Sequence, residues 1–130
     1  MIIIYHNPDC GTSRNTLEMI RASGVEPLVV EYLKTGWNRQ LLLVLFASAG
    51  LTPGEAMRVN GTPAETLGLT AAGVSDDQIL DAMLAHPVLV NRPFVVTPKG
   101  IKLCRPSEMV MTLLETPLVS FTKEDGSTVV

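Results

Sequence analysis

The stretch Ile2-Ile3-Ile4-Tyr5-His6-Asn7-Pro8-Asp9-Cys10-Gly11-Thr12-Ser13-Arg14 decides the fold and carries the chemistry. Three isoleucines and a tyrosine ahead of Asn-Pro read as a short buried strand with a break after it. From Ser13 to Ser23, Leu17 and Ile20 share a face and Gly24 follows as a stop, the pattern of a helix. Cys10 therefore falls where a strand gives way to a helix. Unpaired N–H groups and the positive end of the helix dipole favour thiolate over thiol there. Ser13 makes the motif Cys-x-x-Ser, where a dithiol exchanger would carry a second cysteine. Redox chemistry at Cys10 then needs an outside thiol to complete it.

Working outward, Leu28-Val29-Val30-Glu31-Tyr32 predicts a second strand, which makes the opening a β-α-β unit with parallel strands and a right-handed crossover. The middle of the chain predicts a helical block, approximately residues 39–86. Arg39 to Ala49 is an apolar helix, and Gln78 to Ala85 carries Ile79, Leu80, Met83 and Leu84 at helical spacing before His86-Pro87 ends it. Thr52-Pro53-Gly54-Glu55, Thr62-Pro63-Ala64-Glu65 and Ser75-Asp76-Asp77-Gln78 each read as a capping box that opens a helix. Strand character returns at Phe94 to Thr97, turns at Pro98-Lys99-Gly100, and continues through Ile101 to Cys104 as an antiparallel hairpin. Pro106 opens a last amphipathic helix to about Leu114, and the tail from Phe121 to Val130 is polar and weakly patterned. The order β-α-β, helical insertion, β-β-α predicts an α/β protein: a thioredoxin-like small mixed β-sheet flanked by helices.

The bulk properties set limits. At 130 residues, one domain over 1–130 is expected. Apolar residues at 46% and charged residues at 18% describe a chain with a real core and exclude a disordered one. The formal charge of −3 argues against nucleic acid or an acidic membrane as partner, so an anion site has to be a local cluster of cations. No secretory signal is expected from the opening, and the longest apolar run, Leu41 to Ala47, is far too short to span a membrane. Two cysteines without such a signal predict reduced thiols and a soluble cytoplasmic protein.

Cys10 is the best nucleophile, and the N–H groups of Gly11, Thr12 and Ser13 are placed to cradle an anion beside it. A phosphatase loop of the form Cys-x5-Arg is excluded, because that position holds Thr16. Arg58, Arg92 and Arg105 each stand at an element boundary, and an arginine fork suits tetrahedral oxyanions. Any one of them alone reads as a surface residue, and spacing does not show them converging. Pro93 opens the third strand, where a thioredoxin-like fold holds a cis-proline beside the reactive cysteine; a trans proline at a strand start is the commoner alternative. His6 either promotes or orients the Cys10 thiolate, or binds a turn backbone. Cys104, in an apolar strand end, reads as an inert core thiol. Neither zinc-ligand spacing nor a nucleotide-binding glycine motif is present, and no metal is expected.

Three motifs taken together carry a resemblance. They are His6 to Thr16, Asn91-Arg92-Pro93-Phe94-Val95-Val96-Thr97-Pro98, and Leu103-Cys104-Arg105-Pro106-Ser107-Glu108, with Leu67-Gly68-Leu69 and Phe121 to Gly126 in support. The chain resembles the glutaredoxin-coupled bacterial arsenate reductases of the ArsC type, a family that usually continues a little past this length. The resemblance implies Cys10 as nucleophile, Arg58, Arg92 and Arg105 as oxyanion-binding residues, and His6, Gly11, Thr12, Ser13, Arg14 and Pro93 in support. It also implies arsenate as substrate, glutathione as co-substrate, glutaredoxin as partner and no bound cofactor. Two other functions share this fold. Redox-sensing transcriptional regulators usually carry Cys-x-x-Cys, which Ser13 argues against. A glutathione-dependent thiol reductase without arsenate activity is disfavoured by retention of all three arginines.

Overall fold

Four strands of four residues each form the sheet: β1 (Ile3–His6), β2 (Leu28–Glu31), β3 (Phe94–Thr97) and β4 (Gly100–Leu103), in the order β2-β1-β3-β4. The computed structural model describes residues 1–129, and the reading of the tail at Val130 lies outside them. β1 pairs with β2 in parallel and with β3 antiparallel, and β3 pairs antiparallel with β4. This is the mixed sheet of a thioredoxin-like fold, with α1 (Gly11–Ala22) joining the parallel pair.

The chain divides into two compact parts, one of Met1–Glu31 with Arg92 onward, the other Tyr32–Asn91. In the first part, the strand period of two sends Ile2 and Ile4 to one face. Val95 lies directly across from Ile4, and Val29 flanks it on the other side. Onto that face pack Leu17 and Ile20 of α1, and Val110, Met111, Leu113 and Leu114, all buried. The thiol of Cys104 is sealed in the same core at 0% exposure.

Several predicted elements are corrected. The helix after Pro106 is a 3-10 helix, Ser107–Leu113, rather than an α-helix. Cys104 lies one residue beyond β4, and its N–H donates to the Pro93 carbonyl at 2.8 Å. The tail is patterned after all: β5 (Phe121–Thr122) and β6 (Thr128–Val129) form a small hairpin. Its turn is closed by the Asp125 carboxylate, which accepts from the Ser127 N–H and hydroxyl. Alternation over two-residue strands is too short to read from sequence.

The second part is helical only in places. A single turn, α2 (Tyr32–Thr35), leads to α3 (Arg39–Ala49), and α4 (Asp76–Ala85) follows after a long interval. Asn38 caps α3 by accepting from the Leu41 N–H, and Ser75 with Gln78 forms a complete capping box on α4. Arg39 ties α3 to α4 through Asp77 and Asp81, each at 2.6 Å. The predicted helical insertion over 39–86 is therefore overturned between 50 and 75. Thr52 and Glu55 do exchange the reciprocal bonds of a capping box, at 2.9 and 3.2 Å, but cap only a turn. Thr62 caps the Ala64 N–H without a reciprocal bond from Glu65. After Ala56 the chain is diverted into a bridge between Met57 and Val90, and Gly61 and Gly68 take left-handed φ of 77° and 74°. The six residues between those glycines are too few to sustain a helix, because nucleation costs more than one turn returns.

Candidate active site

β1 ends at His6, and the turn Asn7-Pro8-Asp9 delivers Cys10 to the N-cap of α1 in an extended conformation, φ −104° and ψ 121°. Two bonds lock that turn: the Cys10 N–H donates to the Asn7 carbonyl at 3.1 Å, and the Asp9 N–H to the Asn7 side-chain oxygen at 2.9 Å. The Asn-Pro pair is thus an Asx turn that aims the thiol, a role the sequence reading assigned only to a strand break.

The Cys10 thiol is 7% exposed. Burial pushes its pKa up, but the Ser13 N–H, the positive charge of Arg92, a hydrogen bond from Arg105 and the Thr12 N–H together outweigh burial. The thiol consequently sits below its ordinary value of 9.0, the condition for a nucleophile near neutral pH. Cys104 meets the opposite fate: burial pushes it up to about 12, and it stays a protonated core thiol.

Arg105 contacts the sulfur, and Arg92 acts on it through its charge. Arg105 Nη1 lies 3.7 Å from Cys10 Sγ and donates to the Arg92 carbonyl at 3.0 Å, so one guanidinium holds the thiol and the neighbouring loop together. The Arg92-Pro93 peptide bond is cis. Arg105-Pro106 is cis as well, a feature for which the sequence offers no distinguishing signal.

The His6 ring bonds to Ser13. Its Nδ1 lies 2.6 Å from Ser13 Oγ, and Ser13 Oγ accepts from the Asn7 N–H at 3.1 Å, all three residues being buried. Burial pushes the His6 pKa down, Glu31 raises it, and Arg21 and Arg14 lower it further, for a net shift below 6.5. A neutral imidazole fits the pairing, since Ser13 has its hydroxyl proton left to give to Nδ1. His6 is thus joined to Ser13, whose backbone N–H lowers the Cys10 thiol. Arg14 points outward and spends its guanidinium on Glu124 and on the Pro8 carbonyl. Gly11 opens α1 beside that pair: a Cβ there would lie 3.7 Å from Arg14 Nη2 and 3.9 Å from Glu124 Oε1.

Arg58 belongs to the second part, where its N–H donates to the Leu89 carbonyl at 2.8 Å and its Nε to the Asn60 carbonyl at 2.9 Å. Gly61 matters to it: besides the left-handed φ, a Cβ there would come within 3.1 Å of Arg58 Nη2. Sequence reasoning passed over Gly61, although Asn60-Gly61 is a turn signal. Away from Cys10, an apolar cleft of about 200 Å³ opens at the start of β1, lined among others by Met1, Ile2, Val25, Leu113 and Leu114. Its lining residues include no cysteine, histidine, lysine or arginine, so Cys10 is the better centre of chemistry. Among the described residues no group of three His, Cys, Asp or Glu is placed to hold a metal ion.

A cysteine at the N-cap position of a helix, a cis-proline before β3 and a β2-β1-β3-β4 sheet together define a thioredoxin-like thiol protein. The chain belongs to the ArsC family, whose model matches residues 5–119. It is 56% identical to the arsenate reductase ArsI2 of Synechocystis sp. over 100% of this chain and 94% of that protein. It is 57% identical to the arsenate reductase of Rhizobium meliloti over 98% of this chain and 92% of the relative. The solved arsenate reductase of Vibrio cholerae superposes with a TM-score of 0.82 at 36% identity, covering 87% of this chain and 97% of that one.

Proposed function

We propose that this chain reduces arsenate to arsenite in arsenic detoxification, with Cys10 as the nucleophile and glutathione and glutaredoxin as the source of reducing thiols. The observation that carries the reading is the lowered Cys10 thiol at the head of α1 with Arg105 Nη1 3.7 Å from its sulfur. High identity to several arsenate reductases supports the choice of oxyanion.

Arsenate is held by Arg92 and Arg105 and by the N–H groups at the start of α1; an oxyanion role for Arg58 rests on the family resemblance alone. Charge-assisted forks of this kind offset the negative charge of the oxyanion and orient it toward the sulfur. The Cys10 thiolate attacks arsenic, a sulfur–arsenic bond forms, and an arsenate oxygen leaves as water after taking up protons. Glutathione then supplies the thiols that reduce As(V). Summed over a turnover, arsenic gains two electrons, two thiols become one disulfide, and arsenite and one water are released. Ser13 in place of a second cysteine is why the electrons come from outside the chain. Glutaredoxin resolves the mixed disulfide, and a reaction that consumes reduced thiols suits the cytoplasm. No helix among the described residues is long and apolar enough to cross a membrane. The family match runs through both compact parts, which supports one functional domain over 1–130.

The test is arsenate-dependent NADPH oxidation coupled through glutathione, glutathione reductase and glutaredoxin. Wild type turns over, while Cys10→Ser is silent, because a hydroxyl is a far poorer nucleophile at neutral pH. Turnover retained in Cys10→Ser would sink the mechanism. Thiol exchange without any arsenate dependence would favour the plain thiol reductase instead.

A further inference from the structure

The hairpin at the end of the chain reaches back to the turn that carries Cys10. The Glu124 carboxylate takes a two-point fork from Arg14, Nε at 2.8 Å and Nη2 at 3.0 Å, and the Glu124 N–H donates to Asn15 Oδ1 at 3.0 Å. The remaining arm of Arg14, Nη1, donates to the Pro8 carbonyl at 2.8 Å, inside the turn between β1 and α1. The pair lies against Gly11, the first residue of α1. On the other side, Lys123 is anchored to Glu108 at 2.7 Å, with both side chains mostly buried, so the hairpin is tied at two points. Glu124 falls beyond the residues that the family model matches.

We propose that Glu124 is a positioning residue for the Cys10 turn: its carboxylate fixes Arg14, and Arg14 fixes the Pro8 carbonyl and the first turn of α1. The proposal rests on the reading of Cys10 as nucleophile. An exposed lone ion pair contributes little to stability. Here the fork is bidentate, backed by a backbone bond, and shared with a third backbone segment, which makes it a restraint on geometry. What it restrains is the line between Cys10 Sγ and the N–H groups of Thr12 and Ser13, on which the thiolate depends. Charge alone predicts the opposite sign. With Glu124 removed, the unneutralised Arg14 cation would favour the thiolate, whereas a loosened turn disfavours it.

The experiment measures iodoacetamide alkylation of Cys10 against pH, read at the Cys10 peptide by mass spectrometry, in wild type, Glu124→Ala, Glu124→Gln, Arg14→Lys, Arg14→Ala and Arg14→Ala/Glu124→Ala. The thermal midpoint of each is recorded alongside. Expected are slower alkylation at fixed pH, an upward move of its inflection in both Glu124→Ala and Arg14→Lys, and a double variant no worse than the worse single one. Midpoints stay within about 3 °C of wild type, as for a surface substitution on a chain of this size. Glu124→Gln keeps the side-chain shape, so it retains the test if the alanine variant folds poorly; it is expected to show a smaller move in the same direction. An unchanged inflection overturns the proposal, as does a downward move, which would make Glu124 a through-space charge. Loss of reactivity that merely tracks a fall in midpoint also overturns it. Alkylation needs no arsenate, so an enzyme inactive on arsenate with the expected alkylation shifts removes the proposed function and leaves this inference standing.

Discussion

Replacing Ser13 by alanine tests the buried bonds beneath the nucleophile. Ser13 is 0% exposed, and its hydroxyl serves two buried groups at once, the Asn7 N–H at 3.1 Å and His6 Nδ1 at 2.6 Å. In Ser13→Ala both lose their partner, because the β-carbon then carries only hydrogen where the hydroxyl stood. Each buried polar group left unsatisfied costs roughly 1–3 kcal/mol, so the pair costs about 2 kcal/mol at the least. Against the 5–15 kcal/mol typical of a domain, that is a visible fraction. The Ser13 N–H that faces Cys10 belongs to the backbone and survives the substitution. Stability is therefore expected to fall clearly, while the pH profile of Cys10 alkylation moves little. Urea unfolding at neutral pH gives the first quantity from the shift in midpoint at constant slope. A loss under about 0.5 kcal/mol, the range of an inert surface change, would refute the claim that Ser13 satisfies these two groups.

Cys10 alkylation in wild type is expected to inflect below the ordinary thiol value, and Arg105→Ala to raise that inflection, while Cys104 stays unmodified in the folded protein; rapid labelling of Cys104 would contradict its burial. Arg105→Ala is expected to lower kcat/KM for arsenate roughly tenfold, from about 1.5 kcal/mol for a lost charged bond, and Arg105→Lys to recover only part of this, since an ammonium lacks the fork that spans Cys10 Sγ and the Arg92 carbonyl. In acid, His6 binds its proton less readily in the folded than in the unfolded chain, so stability falls as pH drops from about 6.5 through the lower folded value; His6→Gln is expected to flatten that part of the profile in urea titrations from pH 7.5 to 5.

How much of the site could be read in advance differs from residue to residue. Cys10 was legible because a β-branched run, an Asn-Pro break and a helical period surround it within a dozen residues, and each of those signals is local. Arg92 and Arg105 were legible as arginines at element ends but not as neighbours of one sulfur. Their meeting there depends on the antiparallel pairing of β3 with β4 and of β3 with β1. For His6 the sequence leaves two roles open, partner to the Cys10 thiolate or ligand of a turn backbone. The fold instead turns its ring onto Ser13, seven residues on, because the turn at Asn7 to Asp9 brings the first turn of α1 back over the end of β1. The capping boxes at Thr52 and Thr62 show the converse failure. The local bonding was legible at Thr52 and did form, but a helix needs continuation, and the bridge from Met57 to Val90 takes the chain elsewhere.

By itself the sequence determined the order of β1 to β4 with α1, α3 and α4, the N-cap position of Cys10 and the single-thiol character of the site, since all three follow from short-range periodicity, turn chemistry and residue identity. Only the tertiary structure decided which guanidinium meets the sulfur, that His6 bonds to Ser13, and that Glu124 reaches Arg14 across 110 positions of chain. Strand pairing and side-chain forks act between segments remote in sequence. Their energies are set by distance and orientation in space, and neither is written in local pattern.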